Sequence, residues 1–449
     1  MTTELLRATI QLPSDCTLLP ISNGQLLVSR RHAKFCPLAP VELSAVNALM
    51  DRQISPDLLT PELQSKLKRH GFFDPPRKPK PGAHTVQLQL TNDCNLSCSY
   101  CCTNSGNRRP KEVLYTDLLK IVKQIPEVLG KKTAVSLIGG EPLLVPWALD
   151  LANEIIKEGL PLTLFTNGIL LEEDRLVKET ARLIRQGMKV RVSLGGVSAE
   201  SCDQLSGSCR FDLALRGLIN LAAFEGTAVV DLMFTPQNSE EIAHKLHALR
   251  QRLPATITLN LGILYMSGRE TGEHLFKSHT ELEEALDRVA FEAGVAIPAA
   301  QTSPVTYRRE GCSCALGQHI HLRSDGTLFS CFKMEEKIGH LQANGFAAAA
   351  DYNRKHPHPA CTLPTCTDCP LATLCGGGCR SENLLYTGNP DIPPCGPWRV
   401  RVISELLAEE KVSAVEWPVA LLAREALERG IDVPADLYPR QQSRHLIEV

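Results

Sequence analysis

Between residues 84 and 270 the chain alternates short apolar runs with longer amphipathic stretches. The runs TVQLQL, AVSLIG, LTLFTN, KVRVSL, AVVDLMF and TITLNLGIL have the length and composition of buried strands. Stretches with apolar residues at helical spacing, such as YTDLLKIVKQIPEVL and FDLALRGLINLAAFEG, lie between them. Six such units in series predict an α/β fold with a parallel sheet and right-handed crossovers, most simply a partial (β/α)6 TIM-like barrel over residues 84–299.

The chain on either side of this barrel follows other patterns. Residues 1–75 predict three short strands followed by two amphipathic helices, the second with Thr60 as its N-cap. Residues 76–83, rich in Pro and Lys, predict a linker. From residue 300 to 397 the periodicity fades while Cys, Gly and Pro increase, as in regions held together by metal ligands. Residues 398–449 return to a helical pattern.

Composition and charge exclude several classes of protein. The 449 residues include 48 Lys and Arg against 50 Asp and Glu, a net charge of −2, which provides no basic field for nucleic acid. No apolar run approaches the roughly 18 residues of a membrane span. The first residues, MTTELLRATIQLP, lack the charged start and apolar core of a signal peptide. We therefore expect a cytoplasmic protein with no nucleic-acid or membrane partner.

Cysteine is the unusual component of this composition. Seventeen cysteines are too many to be inert in a reducing compartment, so metal or cluster ligation explains them better than disulfides. A first group, Cys94, Cys98 and Cys101, has the spacing C-x3-C-x2-C directly after the first barrel strand. Three thiolates would leave one iron of a four-iron cluster open to bind another molecule. A zinc knuckle, with Cys102 or a distant residue as fourth ligand, is the alternative.

This first group resembles the signature of the radical S-adenosylmethionine (SAM) enzymes, with Tyr100 in the usual aromatic position. The resemblance implies a [4Fe–4S] cluster on the three cysteines, whose open iron chelates SAM. Reductive cleavage of SAM would then release a 5′-deoxyadenosyl radical that abstracts a substrate hydrogen.

Residues at the ends of later strands resemble the SAM contacts of the same family. They are Gly139, Gly140, Glu141 and Pro142 of the GGEP turn, Thr166 and Asn167 of FTNG, and Ser193 of VSLGG. The resemblance implies that the glycines let the backbone approach the methionyl part of SAM closely. It also implies that Glu141 stabilises the SAM amino group and that Ser193 faces the ribose. An ordinary strand end is the alternative for each segment taken alone.

A second cysteine group, CTDCPLATLCGGGCR, resembles the SPASM (twitch-type) extension of radical SAM enzymes, which holds two auxiliary [4Fe–4S] clusters. The resemblance assigns the nearer cluster to Cys314, Cys331 and Cys379, and the farther cluster to Cys366, Cys369, Cys375 and Cys395. For the nearer cluster the fourth position remains open between Cys312, Cys361 and a free iron. Zinc ribbons are the alternative for the whole group.

The N-terminal pattern resembles winged-helix-like domains that bind leader peptides in pathways for ribosomally made peptide natural products, where the peptide adds a strand to a sheet. With the clusters, this implies a radical SAM oxidoreductase that acts on a precursor peptide with a leader sequence. It would form a thioether or carbon–carbon cross-link and take electrons from a donor such as flavodoxin or ferredoxin.

Several alternatives remain at this point. The N-terminal residues could instead form a DNA-reading winged helix or a cap on the barrel. The whole chain could be an anaerobic sulfatase-maturating (formylglycine-generating) enzyme, although relatives of that type usually place an acidic base where this chain has Phe332. It could also be a non-catalytic iron–sulfur electron carrier or a zinc-ribbon scaffold. No catalytic acid or base is assigned, and His319 and His321 are given no role.

Overall fold

The computed structural model describes most of the chain and divides it into two compact units. Of the described residues, those within 11–79, 308–316 and 358–395 form the first unit, and those within 82–294 and 317–357 form the second. The described residues are 11–21, 24–79, 82–208, 210–264, 267–276, 279–294, 308–393 and 395. The predicted C-terminal helical segment, residues 398–449, lies outside them, and the domain boundaries expected from the sequence stay predictions. In the part of the chain that is described, no helix is long and apolar enough to cross a membrane.

The first unit begins with a three-stranded antiparallel sheet whose strands pair in chain order and are followed by two helices. These elements are β1 (Cys16–Ile21), β2 (Gly24–Ser29), β3 (Lys34–Leu38), α1 (Leu43–Met50) and α2 (Pro61–Arg69). The predicted cap of α2 is present, because the Thr60 hydroxyl accepts a hydrogen bond from the Leu63 N–H at 3.3 Å. The order of strands and helices therefore agrees with the sequence pattern.

The second unit is built on a nine-stranded sheet. Its strands are β4 (Thr85–Gln89), β5 (Ala134–Ile138), β6 (Leu162–Thr166), β7 (Lys189–Leu194), β8 (Ala228–Phe234), β9 (Ile257–Ile263), β10 (His319–Leu322), β11 (Thr327–Phe329) and β12 (Lys337–His340). Its helices are α3 (Tyr115–Val128), α4 (Ala148–Lys157), α5 (Asp174–Arg185), α6 (Ala199–Ser206), α7 (Phe211–Ala223), α8 (Ser239–Arg252), α9 (His279–Ala293) and α10 (Gly345–Lys355).

The strand order confirms the predicted α/β class with six βα units. Strands β4 to β9 pair in parallel in chain order, and β10 pairs in parallel with β4 on the other side. Strands β11 and β12 continue the sheet antiparallel beyond β10. The described strands thus form an open sheet, a partial barrel, whose six βα strands carry their loops at one common edge.

Alternation along the strands separates two faces of this sheet. Val86 and Leu88 on β4 belong to one large buried core together with Leu118 and Ile125 of α3. Because successive strand residues point to opposite faces, the intervening positions face away from the helices. The core therefore lies between sheet and helices, and the other face is available for a site.

The cysteine-rich part of the first unit has little regular structure. Its described helices are α11 (Ala372–Cys375) and α12 (Arg380–Thr387). Three consecutive glycines, Gly376 to Gly378, have φ between 72° and 78°. Side chains with a Cβ rarely adopt this left-handed conformation, so the GGG sequence is what allows the sharp turn between Cys375 and Cys379.

Candidate metal centre and active site

The first cysteine group lies on a loop that leaves β4 at the edge where the βα loops gather. We call residues 94–106 the cluster loop. Its two ends are tied together, since the Cys94 N–H donates to the Gly106 carbonyl and the Gly106 N–H donates to the Asn92 carbonyl, both at 2.9 Å. The loop is therefore closed on itself, and its three cysteines are each partly exposed.

The three thiols of this loop are close enough to influence one another. Burial and, to a smaller extent, the charges of Glu141, Cys98 and Cys101 raise the pKa of Cys94 to about 12. Burial also raises the pKa of Cys98, while hydrogen bonds from Tyr100 and Ser206 lower it. Cluster ligation needs thiolates, so assembly would release protons from these buried groups.

The GGEP turn packs directly on the start of the cluster loop. The Gly140 N–H donates to the Thr91 carbonyl and the Glu141 N–H donates to the Asp93 carbonyl, both at 2.8 Å. A Cβ added to Gly140 would lie 2.0 Å from the Asp93 carbonyl oxygen. The glycine is therefore required by contact between two loops of the protein itself, a reason that the sequence does not disclose.

The Glu141 carboxylate is fully buried and connects two strand ends. Its oxygens accept hydrogen bonds from the Leu143 N–H at 2.9 Å, the Thr166 hydroxyl at 2.8 Å and the Asn167 N–H at 2.7 Å. Burial raises the pKa of this carboxyl even though the three donors lower it. The structure thus gives Glu141 and Thr166 a part in holding the loops after β5 and β6 together, and their contact with SAM stays a prediction.

Two of the predicted SAM contacts line one cleft. Asn167 and Ser193 face an open cleft together with Leu96 of the cluster loop and Phe211 of α7. The structure therefore brings these two positions and the cluster loop to one place.

The face of the sheet that points away from the helices is polar, which is uncommon for a parallel sheet. Strand register places on it Gln87, Ser136, Thr163, Arg191, Ser193, Asp231, Asn260, His319 and His321. Arg191 donates to Asp231 through both Nε, at 2.8 Å, and Nη2, and the Asn260 amide donates to the same carboxylate at 2.7 Å. Sequence reasoning missed this network, although charged residues in the middle of KVRVSL and AVVDLMF were a visible signal.

The two histidines on this face are buried on β10. His319 Nδ1 shares a hydrogen bond of 2.7 Å with the Thr85 hydroxyl. Burial lowers the pKa of His321 to about 3, so its ring is neutral at ordinary pH. Both rings lie against Phe332, with centroids 6.3 and 6.4 Å away.

The four cysteines predicted to hold the farther auxiliary cluster lie close together in the first unit. The pKa of Cys366 is raised to about 12 by burial and by the nearby thiols of Cys395, Cys375 and Cys369. The chain turns tightly between them, with the Cys369 N–H donating to the Cys366 carbonyl at 3.2 Å and the Cys375 N–H to the Leu371 carbonyl at 2.7 Å. The four cysteines assigned together from the sequence are therefore neighbours in the fold.

The cysteines predicted to hold the nearer auxiliary cluster do not all belong to one unit. Cys312 and Cys379 share a hydrogen bond, which together with burial raises the pKa of the Cys312 thiol. Cys314 is in the same unit, whereas Cys331 belongs to the second unit. Cys361 is exposed. In the described residues no group of three or more His, Cys, Asp or Glu side chains is arranged to hold a single metal ion.

Comparisons with known proteins agree with this geometry. Residues 88–249 match the model of the Radical SAM superfamily. Mycofactocin maturase MftC of Mycobacterium tuberculosis is 30% identical over 187 residues, 41% of this chain and 45% of MftC, so the chain spans less than half of that relative. SuiB of Streptococcus suis superposes with a TM-score of 0.52 at 16% identity, over 85% of this chain and 98% of SuiB. The structure of anSMEcpe with bound AdoMet gives 0.54 at 14% identity, over 77% of this chain and 99% of that chain.

Residues 88–249 therefore match a radical SAM domain, and the sheet is the partial barrel that the sequence predicts. Such a domain implies SAM and one [4Fe–4S] cluster, and the donor set fits: three soft thiols on one closed loop, each partly exposed.

Proposed function

We propose that this protein is a radical SAM peptide maturase that cross-links a ribosomally made precursor peptide. The observation that carries the proposal is a three-stranded sheet with two helices, in the same chain as a radical SAM domain. A small sheet of this kind can bind an extended peptide by strand addition. MftC is a maturase by name, and SuiB has been crystallised with a precursor peptide, SuiA, which supports a peptide as substrate here.

The leader of the peptide would add to the β1 edge of the sheet. Among the described residues β1 and β3 each pair with β2 alone. All five residues of β3 are buried, and the Phe35 carbonyl on it already shares a hydrogen bond of 2.8 Å with His70 Nδ1. By contrast, all six residues of β1 are at least partly exposed. An accessible edge is what strand addition needs, so β1 is the better site.

The positions of the barrel residues support a proposed role for each. Cys94, Cys98 and Cys101 would hold the cluster on which bound SAM supplies the 5′-deoxyadenosyl radical. The polar sheet face around Arg191 and Asp231 would hold the core peptide, since hydrogen transfer needs a substrate in close register. Tethering by the leader raises the effective concentration of the core peptide at this face.

The auxiliary cysteines fit an oxidative outcome. Forming a thioether or carbon–carbon bond removes two hydrogens from the peptide. The 5′-deoxyadenosyl radical would take the first as a hydrogen atom, and the second would leave as a proton, released to water, and an electron. Auxiliary [4Fe–4S] clusters on the seven SPASM-type cysteines would supply an acceptor for that electron. A flavodoxin or ferredoxin would supply the electron that starts the reaction.

Phe332 argues against the sulfatase-maturating alternative. The likeness to anSMEcpe is one of fold. The position after Cys331, where an acidic base is usual in that type, holds a phenyl ring packed against His319 and His321. No carboxylate is therefore supplied at this position for the deprotonation that formylglycine formation needs.

Co-expression with a short precursor encoded beside this protein, followed by mass spectrometry, tests the proposal. Each cross-link removes two hydrogens, so the peptide should lose about two mass units per event. Replacing Cys94, Cys98 and Cys101 with Ala should abolish both the mass loss and reductive SAM cleavage while the auxiliary absorbance remains. SAM cleavage without any change in the peptide would contradict the peptide proposal, and absence of SAM cleavage from the iron-loaded protein would contradict radical SAM activity altogether.

A further inference from the structure

The segment that follows β9, residues 267–274, is hydrogen-bonded along the cluster loop, and we call it the brace. The Arg269 backbone N–H donates to the Cys101 carbonyl at 3.0 Å. Its guanidinium donates through Nε to the Cys98 carbonyl at 2.8 Å and through Nη1 to the Ser105 carbonyl at 2.5 Å. One residue therefore connects the turn that carries two ligands to the far end of the loop.

The residues before Arg269 approach the loop just as closely. The Ser267 hydroxyl donates to the Cys102 carbonyl at 3.2 Å. Gly268 has a φ of +65°, and a Cβ added to it would lie 2.2 Å from the Cys101 carbonyl oxygen. Only glycine lets the brace pass at this distance, so the contact depends on both position and backbone conformation.

A second set of contacts ties the brace to the loop independently of Arg269. His274 Nε2 shares a hydrogen bond of 3.2 Å with the hydroxyl of Ser99, the residue after Cys98. His274 Nδ1 shares a bond of 2.9 Å with the Glu270 carboxylate, which also accepts from the Gly272 N–H at 2.7 Å. Glu270 is buried, so the brace has a rigid internal support.

We propose that Arg269 is a positioning residue for the SAM-binding cluster, an inference that rests on the proposed ligation by the first cysteine group. The cluster loop has few apolar side chains, so its shape depends on hydrogen bonds to its carbonyl groups. A guanidinium has five donors in a rigid plane and can bond several carbonyls at once, whereas a lysine ammonium has donors at a single point. Arg269 holds the Cys98–Cys101 turn in the shape in which three thiols meet one cluster.

The first experiment compares Arg269→Gln and Arg269→Lys with Arg216→Gln in the full chain. Arg216 is a matched control, because it is half-exposed and pairs on the surface with Glu172 at 2.8 Å. After anaerobic loading with iron and sulfide, iron release to a chelator and the EPR signal of the reduced cluster with and without SAM are measured. We expect both Arg269 variants to release the SAM-binding cluster at least about tenfold faster than wild type and to lose the SAM-induced EPR change. Wild-type behaviour of Arg269→Lys would show that charge alone suffices and would overturn the geometric role.

Gly268→Ala provides a second, independent variant. It keeps the Arg269 side chain unchanged but pushes the brace away from the Cys101 carbonyl, so the same faster iron release is expected. If Arg269→Gln does not fold, this variant still decides the question. Iron release at the wild-type rate from Gly268→Ala would contradict the role of the brace.

A measurement without any cluster separates this inference from the proposed function. In a chain with Cys94, Cys98 and Cys101 replaced by Ala, adding Arg269→Gln should speed amide exchange at residues 94 and 106 at least about tenfold, because these amides bond across the loop. Unchanged exchange would overturn the proposal for Arg269. If the wild-type protein binds no cluster on its first cysteine group, the proposed function fails, while this comparison still reports on the loop.

Discussion

Leu26 and Leu27 are adjacent on β2 and fully buried, yet they belong to different cores of the first unit. Leu26 packs in a cluster with Cys366, Cys369 and Leu371 of the cysteine-rich segment. Leu27 packs instead with residues of α1 and α2 and the turn after them. We therefore predict that Leu26→Ala loosens the segment that carries Cys366, Cys369 and Cys375, which we propose as ligands of the farther auxiliary cluster, whereas Leu27→Ala leaves that segment unchanged.

The magnitude follows from the burial of both side chains. Truncating a buried Leu to Ala costs about 2–5 kcal/mol, and both residues have no exposed surface, so the total loss should be similar for the two variants. A change of about 1.4 kcal/mol shifts an equilibrium tenfold. If only 2 kcal/mol reaches the cysteine segment, its opening becomes about thirty times more frequent.

Amide exchange measured by mass spectrometry gives the readout. The Cys369 and Cys375 amides, which bond to the Cys366 and Leu371 carbonyls, should exchange about thirtyfold faster in Leu26→Ala and at the wild-type rate in Leu27→Ala. Thermal unfolding of both variants checks that their overall losses match. Equal exchange of these amides in the two variants would refute the idea that only one face of the sheet supports the cysteine-rich segment.

Three further predictions concern single residues. Cys312→Ser should remove about four of the roughly twelve irons expected for three clusters, whereas Cys361→Ser should remove none, because Cys312 hydrogen-bonds to Cys379 and Cys361 is exposed; equal iron in both variants would contradict this choice of fourth ligand. Glu141→Gln should lower the free energy of unfolding, measured in urea, by about 1–3 kcal/mol, because the amide NH₂ would face a backbone N–H that now donates to the carboxylate. An unchanged urea midpoint would contradict the role assigned to Glu141. Asp325→Asn should reduce stability at pH 7 but not in strong acid. Burial alone would raise the pKa of Asp325, but hydrogen bonds from Thr327 and the charges of Arg109 and Arg323 lower it. The stabilisation by Asp325 is therefore present above its unfolded pKa and is lost as pH falls through its folded pKa; a stability difference between variant and wild type that is equal at every pH would exclude this.

Much of the second unit could be predicted from the sequence because its pattern is local. The six predicted barrel strands each match a strand of the structure to within about a residue or two at either end, as in KVRVSL, which is β7 (Lys189–Leu194) in full. Each strand alternates so that one set of side chains enters the core, and each helix has apolar residues at helical spacing. Both periodicities involve only residues that are close in sequence, so they can be recognised without knowledge of the fold.

The candidate site was predictable only where one short segment contains it. The first cysteine group spans only eight positions, from Cys94 through Cys98 to Cys101, so its spacing alone indicates a shared ligand. No sequence pattern identifies Arg269 or Asp231, because each forms its hydrogen bonds with residues distant in sequence. Arg269 donates to the cluster loop, and Asp231 accepts from Arg191 of the neighbouring strand. The sheet register that brings them there is a property of the whole chain.

The sequence by itself determined the class of this protein, because cysteine spacing and strand–helix alternation are local properties that chemistry and geometry restrict tightly. Only the tertiary structure decided what the glycines and charged residues do. Gly140 is needed because two loops touch. Glu141 is held by donors from the next strand, and Cys366 shares a core with Leu26, more than three hundred residues earlier. Contacts of this kind arise from the packing of distant segments, and no pattern in adjacent residues encodes them.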